Sequence, residues 1–551
     1  MDVLGPHGDR YEAHRPVIMG RHGMVAAAHP LASEAGVYVL RSGGNAVDAA
    51  IAVGAAIAVT APHLSGVGGD GYIMIYDPRV AAEPIVLNAT GSAPLRATVD
   101  AYRDGIPHSG MRSVSVPGLV DGWLQAHERY GRLSLDECLA PAIDLAENGS
   151  PVSRNLEREI LNQPLLLTFP SSSAIFAPRG EPLRFGEILV QADLGRTLRA
   201  IAREGRASFY EGEIARAIVA ASERHAGLFE LDDLQRCRAE WQDAIAVTYR
   251  GHTVFESPPN SSGHLLLQML NIVENFDVEA LGANSADAIH LMVEAKRLAF
   301  ADREAFVADH RFTDIPLRGL LDKGYAAARA RSIDPEHAAA TAGAGNPWAF
   351  EGRAGAAHTT CFAVVDGDGR AVCQIQSLQS FMGSALVVEG TGILLNNRMT
   401  YWHLDEGHVN LLQPGKRVRH TMNTVMVFRA GGLFMVHGTP GADTQTQTTL
   451  QVLTHVVDHG MNVTEAVEAP RWRHIGQGTE STIPHGETDT LNLEARFPAN
   501  VVSELARRGH PVATIGPWEA TGSEVMIRVD RENGALHGAC DPRADGYAIG
   551  Y

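Results

Sequence analysis

The sequence predicts a mixed α/β (α+β) fold in which helices pack on the faces of β-sheets. Two observations support this prediction. The block from about Leu119 to Asp309 is dominated by helical segments, each of which must bury one apolar stripe. After residue 358 the chain reads instead as pairs of β-strands joined by turns. The helices of the first block are therefore expected to cover sheets that are built largely elsewhere in the chain.

The N-terminal third opens with two predicted helices. The first spans Leu31 to Leu40, and the second begins after Asn45, a good N-cap residue. The second contains the most apolar stretch, Ala46 to Ala61, which is shorter than the roughly 20 residues that a membrane span needs. We interpret it as a buried core helix.

A glycine-rich loop at residues 65–71 follows and precedes the predicted strand Tyr72 to Tyr76. Dinucleotide-binding sites have the opposite order, in which a strand leads into the loop and a helix follows it. The loop is therefore a weak phosphate-binding signal.

Two β-hairpins are predicted in the second half of the chain. The first pairs Thr359 to Val365 with Arg370 to Ser377 across an Asp-Gly-Asp-Gly turn. The second pairs residues 423–428 with 433–437 and leads into the loop at 438–443. A helix is expected from about Thr444 to Val457, so unpaired N–H groups at its start can face an anion.

Composition and charge exclude several classes of function. The chain has 551 residues, 45% of them hydrophobic and 20% charged, which is typical of a soluble globular protein. Its 64 acidic and 46 basic residues give a net charge of −18, which disfavours binding to nucleic acid or to anionic membranes. The N-terminal stretch has no apolar run of signal-peptide length, so the sequence predicts a cytoplasmic protein.

The sequence predicts no metal and no cofactor. Its five cysteines include no CxxC pair, so neither a disulfide framework nor a cysteine-rich zinc site is indicated. His455 and His459 have the spacing of a metal pair on the predicted helix, but no third ligand is in view. We interpret them as a surface histidine pair.

Thr359 is the candidate nucleophile. A threonine hydroxyl needs a base, and a threonine at a chain terminus has one in its own α-amine, whose pKa of about 7.7 to 8.0 suits neutral pH. A Thr-Thr pair at the start of a strand is also what β-propensity alone produces. The spacing of these residues therefore leaves both interpretations open.

Several motifs resemble those of the gamma-glutamyltranspeptidases. They occur in the family's order from about Met24 to Tyr551 and are highly specific. They comprise residues 42–50 (SGGNAVDAA), 66–71 (GVGGDG), 116–118 (VPG), 358–366 (HTTCFAVVD), 377–379 (SLQ), 392–397 (GILLNN), 541–543 (DPR) and the final Gly550-Tyr551.

The resemblance implies a four-layer αββα sandwich of the N-terminal-nucleophile hydrolase type, made as a precursor that cuts itself between His358 and Thr359. Residues 1–358 would form the large subunit, with an N-terminal extension at 1–23 and a flexible linker at 337–357. Residues 359–551 would form the small subunit, and both would share one αββα domain. Whether two processed units associate as a homodimer is left open.

The resemblance also implies catalytic roles. Thr359 is the expected nucleophile, and Thr360 is its neighbour in the family's Thr-Thr pair. Ser377 lies where the family has a hydroxyl that hydrogen-bonds the new terminal amine. Gly441 and Ala442 lie where two glycines donate N–H groups to the oxyanion. An alanine keeps the N–H, although a positive φ there would be strained.

The substrate-binding positions depart from the family pattern. The residues that hold the donor's α-amino group correspond to Arg398 and Tyr401, and a cation repels an ammonium. Gln379 replaces an asparagine, and a Ser-Ser pair corresponds to His420 and Thr421. The expected substrate-binding residues are Gln379, Arg398, Tyr401, Arg419, His420 and Thr421.

These changes point to a donor without a free α-amino group. Arg398, Arg419 or His420 could meet an acidic group on such a donor. Alternatively, Arg398 pairs with a nearby acid of the protein. The expected function is hydrolysis, or transfer, of gamma-glutamyl-like or small acidic amides. An oxamate-type amidohydrolase, a glutaryl or cephalosporin acylase, and a catalytically dead scaffold are the alternatives.

Overall fold

The computed structural model describes residues 13–351, 362–486 and 488–551. The predicted cleavage site at His358 and Thr359, and the neighbouring Thr360, lie outside the described residues.

The chain contains 21 β-strands within the described residues. They are β1 Ile18–Gly20, β2 Gly23–Ala27, β3 Asp70–Tyr76, β4 Ile85–Ala89, β5 Ser150–Pro151, β6 Ile188–Leu189, β7 Glu240–Asp243, β8 Ile245–Tyr249, β9 His252–Glu256, β10 Ala363–Asp366, β11 Ala371–Ser377, β12 Val387–Val388, β13 Ile393–Leu394, β14 Val425–Arg429, β15 Gly432–Gly438, β16 Trp472–Ile475, β17 Thr490–Glu494, β18 Val512–Ile515, β19 Val525–Asp530, β20 Ala535–Cys540 and β21 Tyr547–Gly550.

The same ranges contain 18 α-helices. They are α1 Pro30–Arg41, α2 Ala46–Thr60, α3 Leu119–Tyr130, α4 Leu135–Asn148, α5 Arg154–Asn162, α6 Pro170–Phe176, α7 Ala192–Glu204, α8 Arg206–Tyr210, α9 Glu213–Arg224, α10 Leu231–Arg236, α11 His264–Val273, α12 Val278–Leu281, α13 Ala286–Phe306, α14 Leu317–Leu320, α15 Lys323–Ala330, α16 Gln445–Val457, α17 Val463–Glu468 and α18 Ala499–Arg507. Short 3₁₀ turns include Arg398–Tyr401 and Ala442–Thr444.

Two seven-stranded sheets form the centre of the molecule. The first has the strand order β1-β20-β19-β15-β14-β9-β8, and the second has the order β21-β2-β10-β11-β3-β4-β7. Side chains from both sheets meet in one apolar cluster that includes Met24 and Tyr72 of the second sheet and Met426 and Ile527 of the first. The two sheets therefore pack face to face.

Helices cover the outer face of each sheet. Neighbouring residues of β2 point to opposite faces, so Val25 packs with α1–α4 while Met24 faces the other sheet. On the far side, Val427 and Met435 of the first sheet pack with α11, α13 and α16. The order helix, sheet, sheet, helix is the αββα sandwich that the resemblance implies.

The elements predicted near the N-terminus are confirmed. Helix α2 begins after Asn45, whose side chain accepts hydrogen bonds from the backbone N–H groups of Val47 and Asp48, and Asp48 completes a capping box. Every residue of α2 is buried. Among the described residues, no helix combines the length and the apolar character that crossing a membrane would require.

The first predicted hairpin forms between β10 and β11. Ala363 pairs with Cys373 and Val365 with Ala371, on either side of the turn at residues 366–370. β11 also pairs along its whole length with β3, which places Ser377 directly opposite Asp70. The register of these strands therefore brings the end of the glycine-rich loop next to Ser377.

An ion pair links the edge strand β7 to the segment that precedes β14. It joins the partly exposed Glu240 of β7 to the buried Arg417. Glu240 accepts a hydrogen bond of 2.7 Å from Arg417 Nη1, and His310 Nε2 lies 3.5 Å from its carboxylate. The contact with His310, together with the charge of Arg417, lowers the pKa of Glu240 from 4.5 to about 2, against the opposing effect of burial.

Glu240→Gln is expected to lower the free energy of unfolding at pH 7 by about 1 kcal/mol, a small value because the side chain is partly exposed. The folded-state pKa lies below the unfolded one, so the stabilisation is complete above pH 4.5 and is lost as the pH falls toward 2. Urea denaturation of both proteins at pH 7, 5 and 3.5 measures this. A difference that does not shrink at pH 3.5 would contradict the assignment.

Candidate active site

Ser377 lies at the end of β11 and opens a tight turn. Its Oγ accepts a hydrogen bond of 2.8 Å from the backbone N–H of Gln379. Gln379 itself has a φ of +84°, a strained conformation for a residue with a side chain. Such strain persists only where the surroundings fix it, and it is concentrated at functional sites.

The side chain of Gln379 ties three segments together. Its Nε2 donates to Thr482 Oγ1 at 3.1 Å, and its Oε1 accepts from Ser380 Oγ and from Thr400 Oγ1. These bonds hold the turn after β11 against the 3₁₀ turn at Arg398–Tyr401 and against the loop between β16 and β17. Gln379 therefore lies where these three segments converge.

Arg398 is buried and pairs with Asp70. Its Nη2 lies 3.0 Å from Asp70 Oδ1, and the two side chains are 1% and 0% exposed. Burial raises the pKa of Asp70, while the guanidinium opposes this shift. His420 Nε2 lies 3.3 Å from the other carboxylate oxygen, and burial holds the pKa of His420 well below its usual value, so this imidazole is neutral. The guanidinium of Arg398 is therefore neutralised within the protein.

Arg419 is held in the same way. Its Nη2 donates to both carboxylate oxygens of Glu304 at 2.8 Å, and its Nη1 donates to the backbone oxygen of Arg303. The side chain of Arg419 is 1% exposed. Both arginines that the sequence singled out for an acidic substrate thus already have a carboxylate partner.

Tyr401 and Thr421 form a neutral hydroxyl pair. Their oxygen atoms lie 3.0 Å apart, and the ring of Tyr401 stacks 5.0 Å from the Arg398 guanidinium. Burial raises the pKa of Tyr401, so the phenol keeps its proton and can donate a hydrogen bond.

The loop between β15 and α16 forms the candidate oxyanion site. Gly441 has a φ of +129° and Ala442 a φ of +52°. Within residues 13–351, 362–486 and 488–551, no acceptor is bonded to either backbone N–H. Two free donors beside a helix start suit a developing negative charge.

Asp443 anchors this loop from behind. Its carboxylate pairs with Arg303 of α13, accepts the backbone N–H of Ser481 at 2.6 Å and accepts Ser481 Oγ at 2.9 Å. Burial alone would raise the pKa of Asp443, but the Arg303 guanidinium brings it below its usual value, so the carboxylate is charged. Because Thr482 bonds Gln379, the loop at 481–482 connects Ser377's turn to the oxyanion loop.

The structure thus places Ser377 with Gln379, and Arg398 with Tyr401 and Thr421, and the 3₁₀ turn at residues 398–401 connects the two groups through Thr400. Asp70, which pairs with Arg398, and Arg303, Asp443 and Ser481, which hold the oxyanion loop, were not identified from the sequence. Asp70 carried one usable signal, because it is a single charge between a glycine-rich loop and an apolar strand.

The interpretation of His455 and His459 as a surface pair is wrong for His455. That ring lies on the buried side of α16 with 4% of its surface exposed, and burial lowers its pKa to about 3. Residues 445–456 of α16 are all buried, so the helix has no exposed face at this position, which helical spacing alone did not reveal.

Ala442→Gly is expected to raise the free energy of unfolding by about 0.5–1 kcal/mol. A side chain in the left-handed region costs about 1–2 kcal/mol, and the greater freedom of glycine in the unfolded chain offsets part of this gain. Thermal unfolding measures the change. The matched control Ala217→Gly in α9 should be destabilising by about 1 kcal/mol, because Ala217 has helical geometry. A loss of stability in Ala442→Gly would contradict the role of the positive φ.

The fold and this site define a class of protein, the N-terminal-nucleophile hydrolases with an αββα sandwich. The family model of gamma-glutamyltranspeptidase matches residues 32–551. The chain belongs to that family and is an enzyme that hydrolyses amide bonds.

Three proteins similar to this chain have different names and activities in their descriptions. The glutathione hydrolase-like YwrD proenzyme of Bacillus subtilis is 39% identical, over 97% of this chain and 99% of its own. The oxamate amidohydrolase proenzyme of Klebsiella pneumoniae is 34% identical, over 96% and 98%. The crystal structure of a cephalosporin acylase from Bacillus halodurans matches with a TM-score of 0.89 and 33% identity, over 100% and 99%.

Proposed function

We propose that this protein matures by cleavage between His358 and Thr359 and then hydrolyses amides whose acyl group carries no α-amino group. The proposal that the acyl group has no α-amino group rests on the buried ion pair between Arg398 and Asp70. It fills the place where the family resemblance locates the carboxylates that hold an α-ammonium.

The first hairpin and the family resemblance together support the assignment of the nucleophile. β11 pairs with β10 and ends at Ser377. By the resemblance, the Ser377 hydroxyl would hold the α-amine that cleavage creates, and this amine would serve as the base for Thr359 Oγ.

The remaining steps follow from acyl transfer. Thr359 Oγ attacks the amide carbonyl, and its proton passes through the terminal amine to the leaving nitrogen. The N–H groups of Gly441 and Ala442 stabilise the oxyanion, and each such donor typically contributes about 2.7–4 kcal/mol. Water then hydrolyses the acyl-enzyme ester.

Selectivity for the acyl group follows from the charges of the described site residues. Three carboxylates among the described site residues already have an arginine partner: Asp70 has Arg398, Asp443 has Arg303, and Glu304 has Arg419. An α-ammonium would lose its water without gaining a charged partner. An acidic or neutral acyl chain can instead accept a hydrogen bond from a neutral donor, such as the hydroxyl of the Tyr401 and Thr421 pair that does not donate to the other.

Two anilides that differ only in the α-amino group test this proposal. Glutaryl p-nitroanilide is expected to have a kcat/KM about 10–100 times that of gamma-glutamyl p-nitroanilide, the equivalent of an unpaired buried charge worth about 1.5–3 kcal/mol. Ammonia release from oxamate tests the smaller acidic amide. A preference for the gamma-glutamyl compound would overturn the proposal.

Maturation is tested by intact mass and N-terminal sequencing of the purified protein. The expected small fragment has 193 residues and begins Thr-Thr-Cys-Phe. A chain that remains whole under conditions in which the anilides are hydrolysed would separate the activity from cleavage and refute the first part.

A further inference from the structure

Three potential ligand residues converge at the end of α13 that is remote from Arg303. His290 and Glu294 lie one helical turn apart on the same face of α13, and His510 comes from the turn between α18 and β18. His290 Nδ1 and His510 Nε2 lie 2.8 Å apart. One ligand atom of each residue lies within 4.8 Å of the other two, and all three residues are buried.

The hydrogen bonds around these residues indicate which of their atoms could bind an ion. His290 Nε2 lies 2.7 Å from the backbone oxygen of Asp334, so it must be the protonated nitrogen, and Nδ1 carries the lone pair. Metal-binding histidines commonly have such a carbonyl partner on their second nitrogen. Glu294 Oε2 accepts the backbone N–H of Ala339, but Oε1 has no hydrogen-bond donor in the described part of the chain.

We propose that His290, Glu294 and His510 bind a divalent transition-metal ion of the zinc class. Two imidazoles and a carboxylate, with water as the fourth ligand, form an established zinc set. Zn–N bonds of about 2.0–2.1 Å at a tetrahedral angle require the two nitrogens to be about 3.3 Å apart. The rings must therefore separate by about half an ångström when the ion enters, and the proton that His510 Nε2 donates to His290 Nδ1 must move to His510 Nδ1, which has no hydrogen-bond partner among the described residues.

The neighbouring charges allow this ion. Arg297 Nε lies 3.4 Å from Glu294 Oε1, but its Nη2 is held by Asp489 at 2.7 Å. Arg508 pairs with Asp287 and Glu504. Both cations close to the site thus have carboxylate partners of their own.

Two other clusters of similar composition are less suitable. Asp48 already accepts the backbone N–H groups of Asn45 and Arg132, and Glu304 is held by Arg303 and Arg419. Of these three clusters, only the one that contains Glu294 has a carboxylate oxygen without a hydrogen bond.

The position of the cluster suggests what the ion does. His290 and Glu294 precede the proposed cleavage site and His510 follows it, so one ion would join the two fragments of the mature protein. This consequence rests on the proposed maturation, whereas binding itself does not. The cluster cannot be predicted from residue spacing, because His290 and His510 are 220 positions apart in the sequence.

Metal binding to the purified full-length protein, cleaved or not, tests the proposal. After treatment with a chelator and its removal, titration with ZnCl₂ should show one site per chain with a Kd in the micromolar range or tighter. CoCl₂ should give the visible absorption of a four-coordinate site. Added zinc should displace the cobalt and abolish this absorption. Zinc at 100 times its Kd should raise the midpoint of thermal unfolding by about 2 °C.

His510→Gln and Glu294→Gln keep a hydrogen-bonding side chain and should each weaken zinc binding at least tenfold. His337→Ala is the matched control, because His337 is exposed and lies on the segment that contacts the cluster. Circular dichroism identifies any variant that fails to fold. If one of the two glutamine variants fails, the zinc affinity of the other tests the proposal. Absence of binding by the parent protein, or affinity unchanged in both glutamine variants, would overturn the proposal.

Discussion

Thr359→Ala is expected to remain a single chain of 551 residues and to lose amide hydrolase activity by at least about 10³-fold. The substitution removes the hydroxyl that attacks the peptide bond during maturation and the acyl group during turnover. Without cleavage the α-amine that serves as base is never formed. Electrophoresis and intact mass measure whether the chain is cleaved. The rate of hydrolysis of glutaryl p-nitroanilide measures the loss of amide hydrolase activity.

The control for this experiment is Thr359→Ser, which keeps a hydroxyl at the same position. It should still be cleaved, if more slowly, and should retain measurable activity. Cleavage of Thr359→Ala at the same bond, or activity within tenfold of the parent protein, would show that another residue is the nucleophile.

Arg303→Met is expected to lower the free energy of unfolding by about 3–5 kcal/mol and kcat by about 10²–10³-fold. Arg303 is fully buried, and its loss leaves the Asp443 carboxylate buried with only the donors of Ser481. Removing one partner of a buried ion pair has this large cost because the other charge is uncompensated.

The effect on kcat has a separate origin. Asp443 directly follows Gly441 and Ala442, whose strained backbone needs a fixed neighbour to persist. A displaced oxyanion loop weakens binding of the transition state more than that of the substrate, so KM should change less than about threefold. Urea denaturation and steady-state kinetics measure the two effects independently.

Two further variants sharpen the interpretation. Arg303→Met combined with Asp443→Asn should be more stable than the sum of the single changes predicts, because the pair is then removed as a unit. Arg311→Met breaks a partly exposed pair with Asp309 that does not contact the oxyanion loop, and should leave kcat nearly unchanged. A normal kcat in Arg303→Met would refute the anchoring role of Asp443.

The sequence by itself determined the local elements and the family. The Asp-Gly-Asp-Gly turn fixes the hairpin of β10 and β11, because turn residues and strand alternation act between near neighbours. Asn45 likewise fixes the start of α2 through bonds within three residues. The motifs that mark the family are short contiguous runs, so they too can be recognised without a structure.

Only the tertiary structure decided which charges are available to a substrate. Arg398 and Asp70 are 328 positions apart, and Arg303 and Asp443 are 140 apart. The identity of an arginine does not reveal its partner, because buried ions are paired by packing across sheets and helices rather than by sequence spacing. The burial of His455 likewise depends on long-range packing, which covers α16 at every position from 445 to 456. Local interactions thus set the elements, and long-range packing set the electrostatics of the site.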